Sequence, residues 1–290
     1  MNHQPIPETG ESQVMLYIIT VHYKEDRWIK LQRHKLEQHV SQQFRLHACM
    51  EGIAEQNAQY FDKVVPAVGP HAGKLNLLAT DICGTAAGTD LLMFLDGDAF
   101  PVADPMPLIY NGLKTHDLVA VRRSENDGDR QPHPMFCVTT VELWRRIHGD
   151  WSEGYPWRNN IGELVTDVGG NLIWLLESIG ANWLPIERTH SLGSHPVAFG
   201  VYGGIIYHQG GGFRKMITRA DYAECPIQIT GNNKALRRIQ SMRYRLWLER
   251  RARETEAVGE AIYRKLTCDL NYVESQLADS LRESAKSLLR

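Results

Sequence analysis

The feature that most constrains the fold is a succession of continuous apolar runs separated by segments with helical spacing. Residues 14–21 (VMLYIITV), 44–49 (FRLHAC) and 91–95 (LLMFL) are rich in apolar side chains at consecutive positions, which is typical of strands buried on both faces. Residues 25–40 and 74–83 instead repeat apolar side chains at the spacing of a helix. This alternation predicts an α/β fold with a mainly parallel, doubly wound sheet.

The rest of the chain divides into segments of different character. Residues 1–13 are predicted to be a flexible tail. Residues 122–134 (RRSENDGDRQPHP) are rich in turn-forming residues and predict a polar loop that does not pack. Residues 200–208 (GVYGGIIYH) predict one strand. Residues 231–290 are polar and nearly free of proline, and they predict a helical C-terminal extension.

Composition removes several classes of function. The 290 residues carry 32 basic and 34 acidic side chains, and this net charge of −2 argues against a nucleic-acid partner. The five cysteines form no CxxC pair, which argues against a zinc ribbon or a disulfide framework and favours a reducing compartment. The N-terminus lacks the pattern of a signal peptide. We therefore expect a cytoplasmic protein, with a peripheral position on the inner face of the membrane left open.

Two carboxylates directly follow the apolar run at 91–95. Asp96 and Asp98 are separated by one residue, so in an extended backbone their side chains point the same way. Oxygen ligands placed in this way suit Mg²⁺ or Mn²⁺. Gly97 removes the intervening side chain and would let a ligand approach the backbone. An Asp-Gly turn is the alternative interpretation, but the buried strand before it favours the metal site.

These features resemble the A-type glycosyltransferases, which use nucleotide sugars and carry a DxD motif. The resemblance rests on residues 18–23 (IITVHY), 73–76 (GKLN) and 95–98 (LDGD), and it spans about residues 15–215. It implies a catalytic domain over residues 14–230, with a donor half over 14–100 and an acceptor half over 101–230. It also implies that Asp96 and Asp98 hold a divalent cation on the donor diphosphate, and that Thr20 to Tyr23 line the nucleotide base.

The second strand departs from the family pattern. Many members end that strand with an aspartate, whereas this chain has Glu51, which leaves the donor nucleotide open. The residues assigned to the donor and its cation are Thr20, Val21, His22, Tyr23, Glu51, Lys74, Asp96, Gly97, Asp98 and Arg214.

Two further residues are assigned from the resemblance. Inverting members carry an acidic residue before a helix in the region of Asp167, so Asp167 is the candidate base; capping of the helix predicted at 169–180 is an equal alternative. Several members complete the metal shell with a late histidine, which here is His208. Arg214 or Lys215 would then contact the diphosphate. The alternative for His208 is a half-buried strand end before a glycine turn.

The C-terminal extension begins with a strongly basic segment. Residues 234–253 hold eight basic side chains and one acidic one, interleaved with an apolar stripe. We favour packing of this segment on the catalytic domain or on a dimer partner through 231–290, and peripheral membrane contact is the second interpretation.

The sequence therefore predicts an enzyme. The expected activity is metal-dependent transfer of a sugar from a nucleotide-diphosphate-sugar to a hydroxyl of a glycan, polysaccharide or lipid-linked acceptor, with inversion. A non-catalytic module that binds a partner or an anionic membrane through the C-terminal helices is the alternative. A sugar-nucleotide pyrophosphorylase ranks lower, because residues 20–25 lack the glycine that its phosphate loop requires.

Overall fold

The protein is described by a computed structural model that covers residues 14–126, 128–159, 162–211, 215–230 and 233–288. The strands are β1 (Leu16–Tyr23), β2 (Phe44–Glu51), β3 (Lys63–Val64), β4 (Leu91–Leu95), β5 (Ala99–Pro101), β6 (Leu118–Val121), β7 (His133–Thr140), β8 (Trp157–Arg158), β9 (Leu164–Val165), β10 (Trp183–Ile186), β11 (Arg188–Ser191), β12 (Gly200–Tyr202) and β13 (Ile206–His208). The helices are α1 (Ile29–His39), α2 (His71–Cys83), α3 (Met106–Leu113), α4 (Val141–Arg146), α5 (Gly170–Ser178), α6 (Arg219–Glu224), α7 (Lys234–Cys268) and α8 (Tyr272–Leu288), with a 3-10 helix at Glu55–Tyr60.

A seven-stranded sheet forms the centre of the fold. Its order is β10-β6-β7-β4-β1-β2-β3, and every neighbouring pair is parallel except the two pairs that include β7. The central strand β4 is buried throughout. Leu92 and Phe94 point into one hydrophobic core, and Leu91, Met93 and Leu95 point into the other. The predicted α/β fold with a mainly parallel, doubly wound sheet is confirmed.

A smaller sheet places the second half of the chain against the end of β4. Its order is β11-β12-β13-β5, and β5 begins directly after Asp98. Residues 200–208 therefore form a hairpin, not the single strand predicted from their apolar content. Gly203 and Gly204, at φ of 59° and 69°, adopt the left-handed backbone that turns the chain between β12 and β13. The hairpin returns His208 to the edge of β5, where it lies opposite Ala99.

Two other sequence expectations are wrong. Helix α2 begins at His71, three residues before the start of the predicted segment 74–83, because Pro70 precedes it in an extended conformation and does not interrupt it. The segment 122–134 also packs, contrary to its polar composition. Asn126, Asp129 and Gln131 are buried there. Asp129 pairs with Arg123, and Gln131 Nε2 donates to the Val168 carbonyl oxygen, which offsets part of the cost of burying polar groups.

The C-terminal extension is helical, as predicted, and part of it belongs to the core. Ile262 and Leu266 of α7 and Val273 of α8 are buried against a cluster that includes Phe100 and Tyr207 of the smaller sheet. Among the described residues, no helix combines the length and apolarity required to cross a bilayer.

Candidate functional site

The site lies where β4 ends and β13 returns to it. Asp96, Asp98 and His208 present ligand atoms that all lie within 4.8 Å of one another. The Nε2 atom of His208 is 3.3 Å from Asp98 Oδ1 and 3.7 Å from Asp96 Oδ2. Oδ2 of Asp98 is buried without a hydrogen-bond partner among the described residues. Two carboxylates and an imidazole with a buried, unsatisfied oxygen are a suitable donor set for Mn²⁺ or Mg²⁺.

The carboxylate turn is held by residues from other elements. The side-chain amide of Gln32 in α1 donates to the carbonyl oxygens of Asp96, at 2.8 Å, and Ala99, at 2.7 Å. Gly97 packs against the end of β1, where an added methyl group would lie 2.6 Å from the Val21 carbonyl oxygen. The glycine was expected to make room for a ligand, but in the structure it makes room for the backbone of β1.

Charges in the site shift several pKa values. Burial alone would raise the pKa of Asp96, but the nearby imidazoles of His71, His133 and His208 lower it well below its usual range. Burial opposes protonation of His208, yet Asp98 and Asp96 together raise its pKa. Both shifts arise from the same attraction between imidazole and carboxylate. The cluster therefore favours positive charge beside the two carboxylates.

Two histidines near Asp96 were missed or given little weight by sequence reasoning. His71 Nε2 lies 3.2 Å from Asp96 Oδ1, because the first turn of α2 meets the end of β4. His133 is buried at the start of β7, and burial lowers its pKa well below the usual range. Its Nδ1 accepts the Met135 N–H at 3.1 Å, so a neutral ring carries its proton on Nε2. His71 could have been assigned to the site from its position at the start of a helix, next to the end of a strand. No sequence pattern indicated that Gln32 holds the backbone of the carboxylate turn.

A second group of predicted residues meets beside the carboxylates, at the ends of β1 and β2. Lys74 Nζ lies 2.5 Å from Glu51 Oε2 and 4.7 Å from the centre of the Tyr23 ring. Lys24 Nζ approaches the same ring at 4.8 Å. Lys74 lowers the pKa of Glu51, so the pair is ionic. His71 and Lys74 lie one helical turn apart on α2, which links this group to Asp96.

The other residues assigned to the nucleotide are buried. Thr20 is fully buried, and Val21 and His22 are 6% and 3% exposed. Burial lowers the pKa of His22 to about 4, so its ring is neutral near pH 7. Its ring packs on Phe61. In this structure, these three side chains support the strand end, and Tyr23 is the member of the group that reaches the partly exposed rim.

Asp167 lies in an ion-pair cluster with Arg123 and Asp129. Arg123 Nη2 is 3.2 Å from Asp129 Oδ2 and 3.2 Å from Asp167 Oδ2. Asp129 is fully buried at its side chain, whereas Asp167 is 32% exposed. The Asp167 side chain accepts the Val168 N–H and makes no cap on α5, whose first turn follows Gly169. Arg123 thus fixes a carboxylate that keeps one side toward solvent. Sequence reasoning did not identify Arg123.

A further carboxylate–histidine pair lies outside this site. Buried Asp221 accepts hydrogen bonds from His195 Nε2 at 3.1 Å and from the Thr218 N–H and hydroxyl at 2.7 and 2.9 Å. Its other oxygen accepts from Arg251 Nε of α7 at 3.2 Å. Burial alone would raise the pKa of Asp221, but His195 and Thr218 lower it below its usual range. Arg214, which was assigned to the diphosphate, lies outside the described residues, and neighbouring Lys215 is exposed.

No known family profile matches the sequence, and no curated protein matches it. Among solved structures, S. aureus TarS in complex with UDP-GlcNAc is similar, with 11% identity over 63% of this chain and a TM-score of 0.41. Mannosyltransferase PcManGT from Pyrobaculum calidifontis in complex with GDP-Man and Mn²⁺ is similar over 60% of this chain and 55% of its own, with 12% identity and a TM-score of 0.42.

Glucosyl-3-phosphoglycerate synthase from Mycobacterium tuberculosis, in complex with Mn²⁺, UDP and glucosyl-3-phosphoglycerate, is also similar. It shares 16% identity over 66% of this chain and 80% of its own, with a TM-score of 0.41. The matched region spans 30%, 50% and 60% of the length of three TarS structures.

Proposed function

We propose that the protein is a metal-dependent glycosyltransferase that moves a sugar from a nucleotide-diphosphate-sugar to an acceptor hydroxyl. The observation that supports this most strongly is the convergence of Asp96, Asp98 and His208 at the end of β4. Parallel α/β sheets bind ligands at the carboxyl ends of their strands. The three side chains occupy that edge, and the Glu51–Lys74 pair lies beside them.

The donor set fits a divalent cation. Asp98 supplies a buried oxygen that has no hydrogen-bond partner in the described part of the chain, and His208 supplies a nitrogen that suits Mn²⁺ better than Mg²⁺. When bound, such a cation offsets the negative charge that develops on a diphosphate leaving group. Gln32 and Gly97 contribute by fixing the backbone that carries the two carboxylates.

The nucleotide side of the site is the group formed by Tyr23, Glu51 and Lys74. The Tyr23 ring offers a face on which a base can stack, and it already attracts two ammonium groups. Glu51 can accept a hydrogen bond from a base N–H, while Lys74 keeps the carboxylate ionised. We propose that this group selects the donor nucleotide.

Asp167 is the proposed base for the acceptor hydroxyl. The acceptor oxygen forms a bond to the anomeric carbon while the bond from that carbon to the diphosphate oxygen breaks, and the nucleoside diphosphate leaves with the electron pair. Arg123 holds Oδ2 of Asp167, and the acceptor proton passes to Oδ1, which keeps a second lone pair besides the one that accepts the Val168 N–H. A single displacement of this kind inverts the anomeric centre.

The first test is binding of UDP, GDP, CDP and TDP, each with and without Mn²⁺, measured by calorimetry and thermal shift. We expect one nucleotide to bind only with the metal, and Asp98→Asn to abolish that binding. Asp279→Asn, at a side chain that is 63% exposed on α8, is the matched control and should bind normally. Binding that needs no metal, or that Asp98→Asn leaves intact, would contradict the proposal.

The second test separates the base from the donor site. Asp167→Asn is expected to lower kcat by about a hundredfold or more while leaving donor affinity nearly unchanged. Equal losses in kcat and in donor affinity would assign Asp167 to the donor site and reject it as the base.

A further inference from the structure

Helix α7 has two halves with opposite environments. From Leu248 to its end, the helix buries one face, formed by Leu248, Ala252, Thr255, Gly259, Ile262 and Leu266. The close packing there includes Gly259, where a methyl group would lie 2.6 Å from the side-chain nitrogen of Gln209. Before Leu248, no residue of the helix is buried. The first half, residues 234–247, therefore extends away from the core that holds the second.

The first half carries an exposed apolar stripe. Its members are Leu236, Ile239, Met242 and Leu246, which are 48%, 53%, 58% and 56% exposed. Their spacings of three, three and four residues keep them on one side of a helix. Leu246 and Leu248 are two residues apart, which places them about 200° apart around the axis. The stripe thus faces away from the side of the helix that packs on the core.

Basic side chains accompany the stripe. Lys234, Arg237, Arg238, Arg243 and Arg245 have no carboxylate within ion-pair distance in the described part of the chain. The arginines of the following turns differ, because Arg251 reaches Asp221 and Arg250 reaches Glu254. The first half of α7 therefore combines uncovered apolar surface with uncompensated positive charge.

We propose that residues 234–247 bind the surface of an anionic lipid bilayer as an interfacial helix. The apolar stripe would enter the boundary between head groups and acyl chains, and the arginines would contact the negatively charged head groups. This surface is distinct from the proposed donor site, so it adds membrane attachment to the proposed function and does not depend on it.

A second copy of the chain is the competing occupant of this surface. A helix pair needs apolar residues at alternating spacings of three and four, and Ala235, Ile239, Met242 and Leu246 provide such a seam. The positions that flank this seam include Arg238, Arg243 and Arg245. Flanking residues of paired helices face each other across the seam, so these like charges would repel. Negative charge is what the segment lacks, and an anionic bilayer supplies it.

The test is sedimentation of the full chain with vesicles of phosphatidylcholine, with or without about one third phosphatidylglycerol. We expect binding to the anionic vesicles that weakens strongly at high salt, and little binding to phosphatidylcholine alone. Ile239→Gln with Leu246→Gln should weaken binding about tenfold or more. Arg243→Gln with Arg245→Gln should weaken it about fivefold for each charge removed.

Two matched variants make the outcome decisive. Ile179→Gln with Leu270→Gln changes the same residue types at exposed positions elsewhere, and Arg264→Gln with Arg282→Gln removes the same charge. Both should bind vesicles as the unchanged protein does, with circular dichroism and Tm confirming that every variant is folded. Equal binding to both vesicle types, or equal losses in helix variants and controls, would overturn the proposal. A dimer in light scattering that Ile239→Gln with Leu246→Gln dissociates would also overturn it, in favour of a second copy.

Discussion

Two buried carboxylate–histidine clusters in this protein contain the same chemical groups, but they differ in whether the carboxylate oxygens have hydrogen-bond partners. At Asp221, both oxygens are occupied by His195, Thr218 and Arg251. At Asp98, one oxygen faces His208 and the other is buried without a partner among the described residues. A buried carboxylate whose oxygens all have partners stabilises the fold, whereas a buried oxygen that lacks a partner indicates a place where a ligand can bind.

The positions of the clusters agree with this contrast. Asp221 of α6 pairs with His195, in the segment before β12, and with Arg251 of α7. It therefore links α6 to α7 and to that segment. Asp96 and Asp98 lie instead at the edge of the sheet, where Asp96 keeps 16% of its side chain exposed. The comparison therefore predicts that substitutions at Asp221 lower the stability of the protein, and that substitutions at Asp98 abolish ligand binding.

The largest expected effect is on stability, from Asp221→Asn. Asparagine keeps one acceptor oxygen but replaces the other by a donor NH2 group, so either His195 or Arg251 loses its buried acceptor together with the negative charge. Breaking such a network costs about 3 to 5 kcal/mol. Chemical unfolding of the metal-free protein measures this free energy, with Asp279→Asn as the exposed control. A loss below about 1 kcal/mol would show that the Asp221 cluster does not stabilise the fold more than the Asp98 cluster does.

The pH dependence sharpens this prediction. The folded protein lowers the pKa of Asp221, so its contribution to stability is complete above the unfolded value near 3.9 and disappears as pH falls through the folded value. The difference between the unchanged protein and Asp221→Asn should be full at pH 7 and shrink below about pH 4. A difference that stays constant as the pH falls from about 4 to about 2 would contradict the ionic origin of the effect.

Asp98→Asn is expected to leave the metal-free protein as stable as before, or slightly more stable. Its effect should emerge with ligands: the unchanged protein gains about 2.7 kcal/mol when Mn²⁺ and the preferred nucleotide are present at a hundred times their dissociation constant. The variant should gain nothing under those conditions. Thermal unfolding with and without both ligands provides the measurement, and a large loss of Tm without ligand would make Asp98 a structural residue.

Gly97→Ala tests whether backbone packing holds the metal cluster. The added methyl group would meet the Val21 carbonyl oxygen at 2.6 Å and His22 Nδ1 at 2.8 Å, so the strand end must move. We expect a loss of about 1 to 3 kcal/mol in stability together with weaker metal-dependent nucleotide binding. Gly204→Ala, where nothing lies within 4 Å but φ is positive, is the control for strain alone and should retain binding. Retained binding in Gly97→Ala would show that this packing does not position the carboxylates.

The smallest expected effect comes from Thr218→Ala. This change removes the Thr218 hydroxyl bond to Asp221 and the capping box of α6, and should cost about 1 kcal/mol. Since His195 and Arg251 remain, the cluster should keep most of its contribution. A loss as large as that of Asp221→Asn, measured by the same chemical unfolding, would show that the cap and not the ion pair holds the cluster.

Much of the donor half could be predicted from the sequence. The strands at residues 14–21 and 91–95 are apolar at successive positions, and such a pattern has few solutions besides a strand covered on both faces. Because ligands collect at the ends of these strands, Asp96 and Asp98 could be selected without a structure. The interpretation of Gly97 was less accurate, since its neighbour in the structure is the backbone of β1.

The sequence predicted the structure less well in two places: where a polar segment is buried, and where one half of a helix packs on the core and the other half is exposed. Residues 122–134 have the composition of a loop, yet Arg123 and Asp129 neutralise each other and allow burial. Residues 234–253 contain an apolar stripe that is compatible with packing on the protein and with an exposed position. The structure shows that Leu236 and Leu246 of this stripe are exposed. Amino-acid composition does not show which charged residues form ion pairs, or which face of a helix is buried.

The sequence by itself determined the sheet and the two carboxylates at its edge, because periodicity and strand ends are local properties of the chain. His208 was assigned to the same site only through the family resemblance, and its position beside the carboxylates depends on the tertiary structure, namely on a hairpin turn at Gly203 and Gly204 and on the pairing of β13 with β5. The positions of His71 beside Asp96 and of Arg123 beside Asp167 also depend on the tertiary structure. Contacts between distant segments depend on register and packing, which no local pattern encodes.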